Sequence, residues 1–419
     1  MFSLVNLKLS DTQKSAMGLL VFVMSVASSI LLFGSKGTVD ARNWEVIFQD
    51  ILVRGPAFIP DCLNYLCPSN MILTKFPLGH ALIFYIFSLV FPVKVFGTLI
   101  SMKMLIMLFY IATLGTVLWF SRSVGSEKRS VFYRIVLYLS MFSLILNTQG
   151  LAYTDVLAFP FLVISIMFIL QKRFFWGGCL FGISCLVKWQ PVILLPIILT
   201  YGVATPKGKE RTRMLMQFVG GLFGSVLVFL PFTSDVVAGI LLSLRNVLLH
   251  TTTYALNLQW VLQNLPIASI AVPLYESPSP AWAWVQLGVF AVGYALVCWN
   301  VYEHRHSKGR EENLLHSFLL AALVYYLFSF GVHENHFILG SIVALLLYMY
   351  HPTLRNYIIF RVVDIINILN LFVFYGFTGV SMLGQHQSGI DGSVLLAFAI
   401  TVVSVAYLWS VLLPKRVAV

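Results

Sequence analysis

The sequence predicts an all-α, polytopic membrane protein with about twelve transmembrane helices and in-plane helices in its first outer loop. Three observations carry this. Hydrophobic residues fill 59% of the 419 positions and charged residues only 10%, against about 25% charged in soluble chains; mean hydropathy is +0.88. Apolar runs of about 18 residues or more, long enough for a hydrocarbon core, recur from end to end. Lysine and arginine gather in alternate connections between those runs, as cytoplasmic loops require. No hydrophilic stretch reaches the size of a soluble domain, so residues 1–419 read as one membrane domain. The net charge of +11 then reports topology, and no nucleic-acid partner is expected.

The elements follow in order, with the N-terminus on the cytoplasmic side. Residues 15–34 form a retained first span and deliver "GTVDARNWEVIFQD" (37–50) to the outer side. The apolar stretch 76–94 is short and bracketed by prolines. As a span it would put Arg122, Lys128, Arg129 and Arg134 outside, so it is assigned to the interface. Spans are then expected at 97–121, 133–149, 155–171, 174–187 and 191–203. The last two are separated by a break at Lys188–Pro191 near the outer face. The basic segment 205–213 is inside, 214–232 leads out, and 233–281 lies mostly outside. Five further spans follow at 282–302, 314–331, 337–351, 362–380 and 392–412. This threading leaves 19 of the 27 basic residues inside and 9 of the 16 acids outside, the bias the positive-inside rule demands.

Ionisable groups near a bilayer are costly and usually functional, and here they converge on the outer face. Asp40, Glu45 and Asp50 open the first outer loop, which runs from 35 to 96. Asp155 begins a span, Lys188 sits at the helix break, and Arg245 lies in the long outer segment. His333, Glu334 and His336 occupy a tight turn. Each also has a plainer reading. Asp155 suits a helix N-cap, Lys188 can snorkel to headgroups, and the His333–Glu334 turn can be an ordinary one. Glu45, Asp50 and Asp61 read as solvated or structural. Cys62 and Cys67 share a polar loop and can pair in an oxidising compartment. No cysteine spacing suggests zinc, and neither a metal nor a cofactor is expected.

Four segments carry a resemblance. "DARNWEVIF" resembles the D-x-x-A-x-R-x-W-x-E-I segment after the first span of the dolichyl-phosphate-glucose glucosyltransferases of N-glycan assembly, with tighter spacing. Asp40, Arg42, Trp44 and Glu45 keep its residue types. "KFPLGHAL" resembles the Y-P-P-L-T-A-Y stretch closing the same loop, and "CLVKWQPVILLP" resembles the family's lysine-bearing break. "GVHENHFIL" resembles its V-H-E-K-A-I-L turn, with Asn335 where that turn has lysine. The four occur in family order, and the arrangement is similar to the bacterial branches of the same GT-C superfamily.

The resemblance implies a GT-C fold and an inverting transfer of a hexose, glucose before mannose, to a glycan or glycolipid acceptor on the non-cytoplasmic face. The donor would be an undecaprenyl- or dolichyl-phosphate sugar, with membrane lipids as surroundings. Asp40 would be the base. Lys188, Arg245 and His333 would hold the phosphate, with Asp155, Glu334, Trp44 and Arg42 completing the substrate site. A lipid-linked sugar flippase and an oligosaccharide ligase or polymerase are the alternative classes. The absence of any N-x-S/T sequon and of a terminal lysine retrieval signal favours a bacterial inner membrane over the endoplasmic reticulum.

Overall fold

Gly37 takes φ +73°, and a Cβ there would lie 2.7 Å from Ala41 Cβ and 3.0 Å from the Leu151 carbonyl oxygen. The chain therefore turns sharply on leaving its first helix, and the segment that follows starts against the protein. The computed structural model describes residues 11–55, 78–124, 130–204, 208–228, 230, 255–264, 280–329, 332–377, 379 and 392–412. All regular structure among them is helical. The helices are α1 (Asp11–Phe33), α2 (Val39–Arg54), α3 (Leu78–Val90), α4 (Val93–Phe96), α5 (Thr98–Ser123), α6 (Val131–Leu139) and α7 (Phe142–Ile145). After them come α8 (Phe159–Leu170), α9 (Phe174–Val187), α10 (Leu195–Ala204), α11 (Lys209–Leu227) and α12 (Leu258–Asn264). The last five are α13 (Pro280–Glu303), α14 (Arg310–Phe328), α15 (Ile338–Tyr350), α16 (Leu354–Tyr375) and α17 (Gly392–Leu412).

Among the described residues five helices are long and apolar enough to cross a membrane: α1, α5, α13, α16 and α17. The expected spans 155–171, 174–187, 191–203 and 337–351 are apolar helices of 10–17 residues. The expected single span 133–149 is a broken pair bent by 58°. At the break Ser140 Oγ donates back to the Leu137 carbonyl at 2.7 Å. Beyond it, α7 runs into a π-helix at Leu146–Gly150. The segment assigned to the interface forms α3 and α4, and the 13 residues of α3 rise only about 20 Å.

Two features bind these helices where water cannot drive association. First, α9 and α11 meet through small residues. A Cβ on Gly178 would reach 2.2 Å from the Phe218 carbonyl oxygen, and one on Gly221 would reach 2.1 Å from that of Phe175, so only glycine permits this approach. Second, Lys103 of α5 is 1% exposed and caps the end of α1. Its ammonium donates to the carbonyls of Phe33 at 2.9 Å, Ser35 at 2.6 Å and Gln149 at 3.0 Å. A cation on the carbonyl end of a helix is favourable by dipole and by hydrogen bond. It joins α1, α5 and the π-helix close to the start of α2.

Candidate active site

Three chain breaks meet at one end of the bundle: the start of α2, the α9–α10 junction and the α14–α15 turn. At the junction Lys188 leaves helical geometry (φ −149°, ψ 137°), and a 3-10 turn at Gln190–Leu194 restarts the chain. The released side chains turn inward to Asp155, which is fully buried in its own 3-10 turn. One carboxylate oxygen of Asp155 accepts from Gln190 Nε2 at 2.8 Å and faces Lys188 Nζ at 3.3 Å. The other accepts from Asn335 Nδ2 at 2.7 Å. Its oxygens are thus taken up by tertiary partners and do not cap a helix. The ammonium of Lys188, 8% exposed, sits 5.9 Å from the centroid of Trp44, and it is held by a carboxylate instead of reaching for headgroups.

A second carboxylate lies one residue from Asn335. Glu334 is 2% exposed and accepts a short hydrogen bond from the Tyr153 hydroxyl. Among the described residues its other carboxyl oxygen has no hydrogen-bond partner. Asn370 of α16 donates to the Glu334 carbonyl and accepts from the Leu256 amide at 2.7 Å. Burial pushes the Glu334 carboxyl up to about 8; Tyr153 opposes the shift, and the negative charges of Asp40 and Asp155 add to it. Ala152, just before Tyr153, takes φ +56°, the kind of backbone strain that collects at functional sites.

Asp40 stands in the first turn of α2 and is exposed. Its charge reaches both Tyr153 and Glu334. The register of α2 follows from Thr38, whose amide donates to the Leu151 carbonyl at 3.1 Å, and from the inward packing of Ala41, Trp44, Ile47, Phe48 and Ile51. Trp44 stacks on His80 of α3 with centroids 3.9 Å apart. His80 Nδ1 in turn lies 3.3 Å from the Val187 carbonyl, next to Lys188.

Of the residues expected from sequence, Asp40, Trp44, Asp155, Lys188, His333 and Glu334 come together at this end. His333 is half-buried, and its amide donates to His336 Nδ1 at 3.3 Å. The Tyr325 hydroxyl is 3.0 Å from that nitrogen. Burial, with the charges of His333 and Lys188, holds His336 well below the ordinary imidazole range. Arg42 is exposed on α2. Arg245, Cys62, Cys67 and Asp61 lie outside the described residues. Glu45, read as structural, accepts from Thr98 Oγ1 at 2.6 Å. Among the described residues no three His, Cys, Asp or Glu side chains are grouped to hold a metal ion.

Sequence reasoning missed Tyr153, Gln190, Asn335, His80 and Asn370. The first three stand within two residues of a flagged charge, in "YTD", "KWQ" and "HEN", and that adjacency was a usable signal. Asn370, in mid-helix, offered none.

A family model described as glycosyltransferase family 87 matches residues 75–329. The chain belongs to glycosyltransferase family 87. It is accordingly a GT-C-like integral-membrane glycosyltransferase. The matched residues include Asp155, Lys188 and Gln190 of this family 87 enzyme, whereas Asp40 precedes them and Glu334 follows. No curated protein matches the chain.

Proposed function

We propose that this family 87 enzyme is an inverting hexosyltransferase whose base is Asp40. It moves a hexose, glucose before mannose, from a polyprenyl monophosphate sugar to a glycan or glycolipid hydroxyl on the non-cytoplasmic face, in a bacterial inner membrane before an endoplasmic reticulum. The observation that carries the assignment is a contrast among three carboxylates. Asp155 and Glu334 are buried and engaged by protein donors, whereas Asp40 is exposed on an anchored helix start. Asp40 takes the proton of the acceptor hydroxyl, and that oxygen attacks the anomeric carbon from the side opposite the phosphate. The bond from the anomeric carbon to the phosphate oxygen breaks, and the electron pair leaves with the polyprenyl phosphate. Lys188, aimed by Asp155, meets the developing phosphate charge together with His333 and Arg245. Trp44 supports Lys188, and Arg42 adds positive potential at the mouth.

The test is transfer from radiolabelled polyprenyl-phosphate hexoses in detergent, glucose and mannose in parallel. Asp40→Asn keeps size and polarity but cannot accept a proton. Turnover should fall at least about a hundred-fold, as loss of a positioned base does, while donor binding survives. Near-normal transfer by Asp40→Asn would end the assignment. A second reading rests on the unpartnered Glu334 oxygen and the raised affinity of that carboxyl for a proton, which suit an acid–base group near neutral pH. Under it Glu334→Gln, not Asp40→Asn, abolishes transfer.

A further inference from the structure

The opposite end of α1 carries a second feature that transfer does not use. Met17, Gly18 and Val21 of α1, Phe132 and Val136 of α6, and the residues around Arg361 on α16 enclose an open cavity of about 900 Å³. From Gly18 to Phe33, beside the Lys103 cap, α1 rises about 22 Å, so this cavity and the Asp40 end belong to opposite membrane leaflets. One wall faces lipid: Met17 is 56% exposed and Phe132 44%.

The opposite wall is cationic. Arg361 donates to Ser140 Oγ at 2.7 Å and to the Ser140 carbonyl at 3.3 Å. Its guanidinium lies against the rings of Phe360 and Tyr357, with centroids at 4.7 and 5.2 Å. It makes no ion pair among the described residues. The nearest acid along its helix, Asp364, feels the Arg361 charge from a distance but is buried and accepts from Ser143. A guanidinium carries five N–H donors in a fork suited to phosphate, and the two bonds to Ser140 leave donors over. The N-termini of α6 and α16, capped by Ser130 and Thr353, border the same cavity and add positive potential.

We propose that this cavity binds an anionic glycerophospholipid of the leaflet opposite the catalytic end, with its phosphate on Arg361 and one acyl chain along the exposed apolar faces of α1 and α6, at Met17 and Phe132. Charge complementarity selects an acidic headgroup, and the lipid-facing apolar wall selects a chain-bearing ligand over a free anion. The site does not depend on which sugar is transferred.

Native mass spectrometry of the detergent-purified full chain, titrated with phosphatidylglycerol and with phosphatidylcholine of the same acyl chains, tests it. Phosphatidylglycerol should bind at clearly lower concentration than phosphatidylcholine. Arg361→Gln should weaken it about tenfold or more, the scale of a lost charge-assisted contact, and bring the two lipids level. Val136→Trp, which fills the acyl arm and spares Arg361, should weaken both lipids. Arg355→Gln, removing an exposed cation nearly two turns away on the same helix, should change neither. Equal binding of the two lipids by the unaltered chain overturns the proposal, as does displacement of phosphatidylglycerol by inorganic phosphate. Loss in Arg355→Gln equal to that in Arg361→Gln reduces the effect to surface charge and also overturns it. Should Arg361→Gln aggregate, unchanged lipid binding by Val136→Trp is refutation enough.

Discussion

Asp155→Asn should destabilise the enzyme far more than an isosteric change usually does. The carboxylate is fully buried and faces donors on both sides: Gln190 at 2.8 Å and Lys188 at 3.3 Å on one oxygen, Asn335 at 2.7 Å on the other. An amide has one acceptor oxygen, so in either flip its NH₂ opposes a donor. The ammonium of Lys188 also loses its counter-charge. Removing one member of a buried pair costs about 3–5 kcal/mol. Lys188→Met should cost less, because Asp155 keeps two amide donors. The double variant should then be less damaged than the two single losses added together, since the second change removes the stranded charge. Unfolding followed by tryptophan fluorescence on titration of the detergent-purified protein with SDS measures all four corners of the cycle. An Asp155→Asn protein within about 1 kcal/mol of the parent, or strict additivity in the cycle, refutes the view that this carboxylate organises the site.

Glu334 supplies a pH dependence. Its carboxyl, pushed by burial up to about 8 from an ordinary 4.5, makes the folded state bind more protons between those limits, so its contribution to stability is full below about 4.5 and is lost as pH rises toward 8. Glu334→Gln should flatten the stability profile over that window, and an unchanged slope would show the carboxyl ionises as freely folded as unfolded. Gly37→Ala should cost at least about 1 kcal/mol, from a left-handed backbone and from crowding of Ala41 and Leu151. Because it moves the start of α2, it should lower turnover more than donor binding, which single-turnover kinetics separates. Lys103→Met should cost about 1–3 kcal/mol by stranding the carbonyls at the end of α1, and faster hydrogen exchange at residues 30–35 would report the loss.

Composition and periodicity alone determine that this chain lives in a membrane, because neither its 10% charged content nor its recurrent apolar runs can be reconciled with a soluble core. Local chemistry also determines where helices stop. The proline of "LVKWQP" keeps a helix from running on through Gln190, and α9 ends at Val187; the ends of α13, α14, α15 and α17 follow the apolar runs closely. The polar residues between the apolar runs are conspicuous for the same reason: each is expensive near a bilayer, so its presence is information. What each one touches is another matter. Asp155 meets Asn335 across 180 residues and Glu334 meets Tyr153 across 181. Lys103 sits within a run that reads as an ordinary span, yet it joins three helices. A periodic pattern describes one helix and its own faces. It does not say which helix lies opposite, and the pairing of carboxylate with ammonium, amide and phenol exists only once helix packing has brought distant breaks together. The distinction between a buried, engaged Asp155 and an exposed Asp40 was therefore decided by tertiary structure alone.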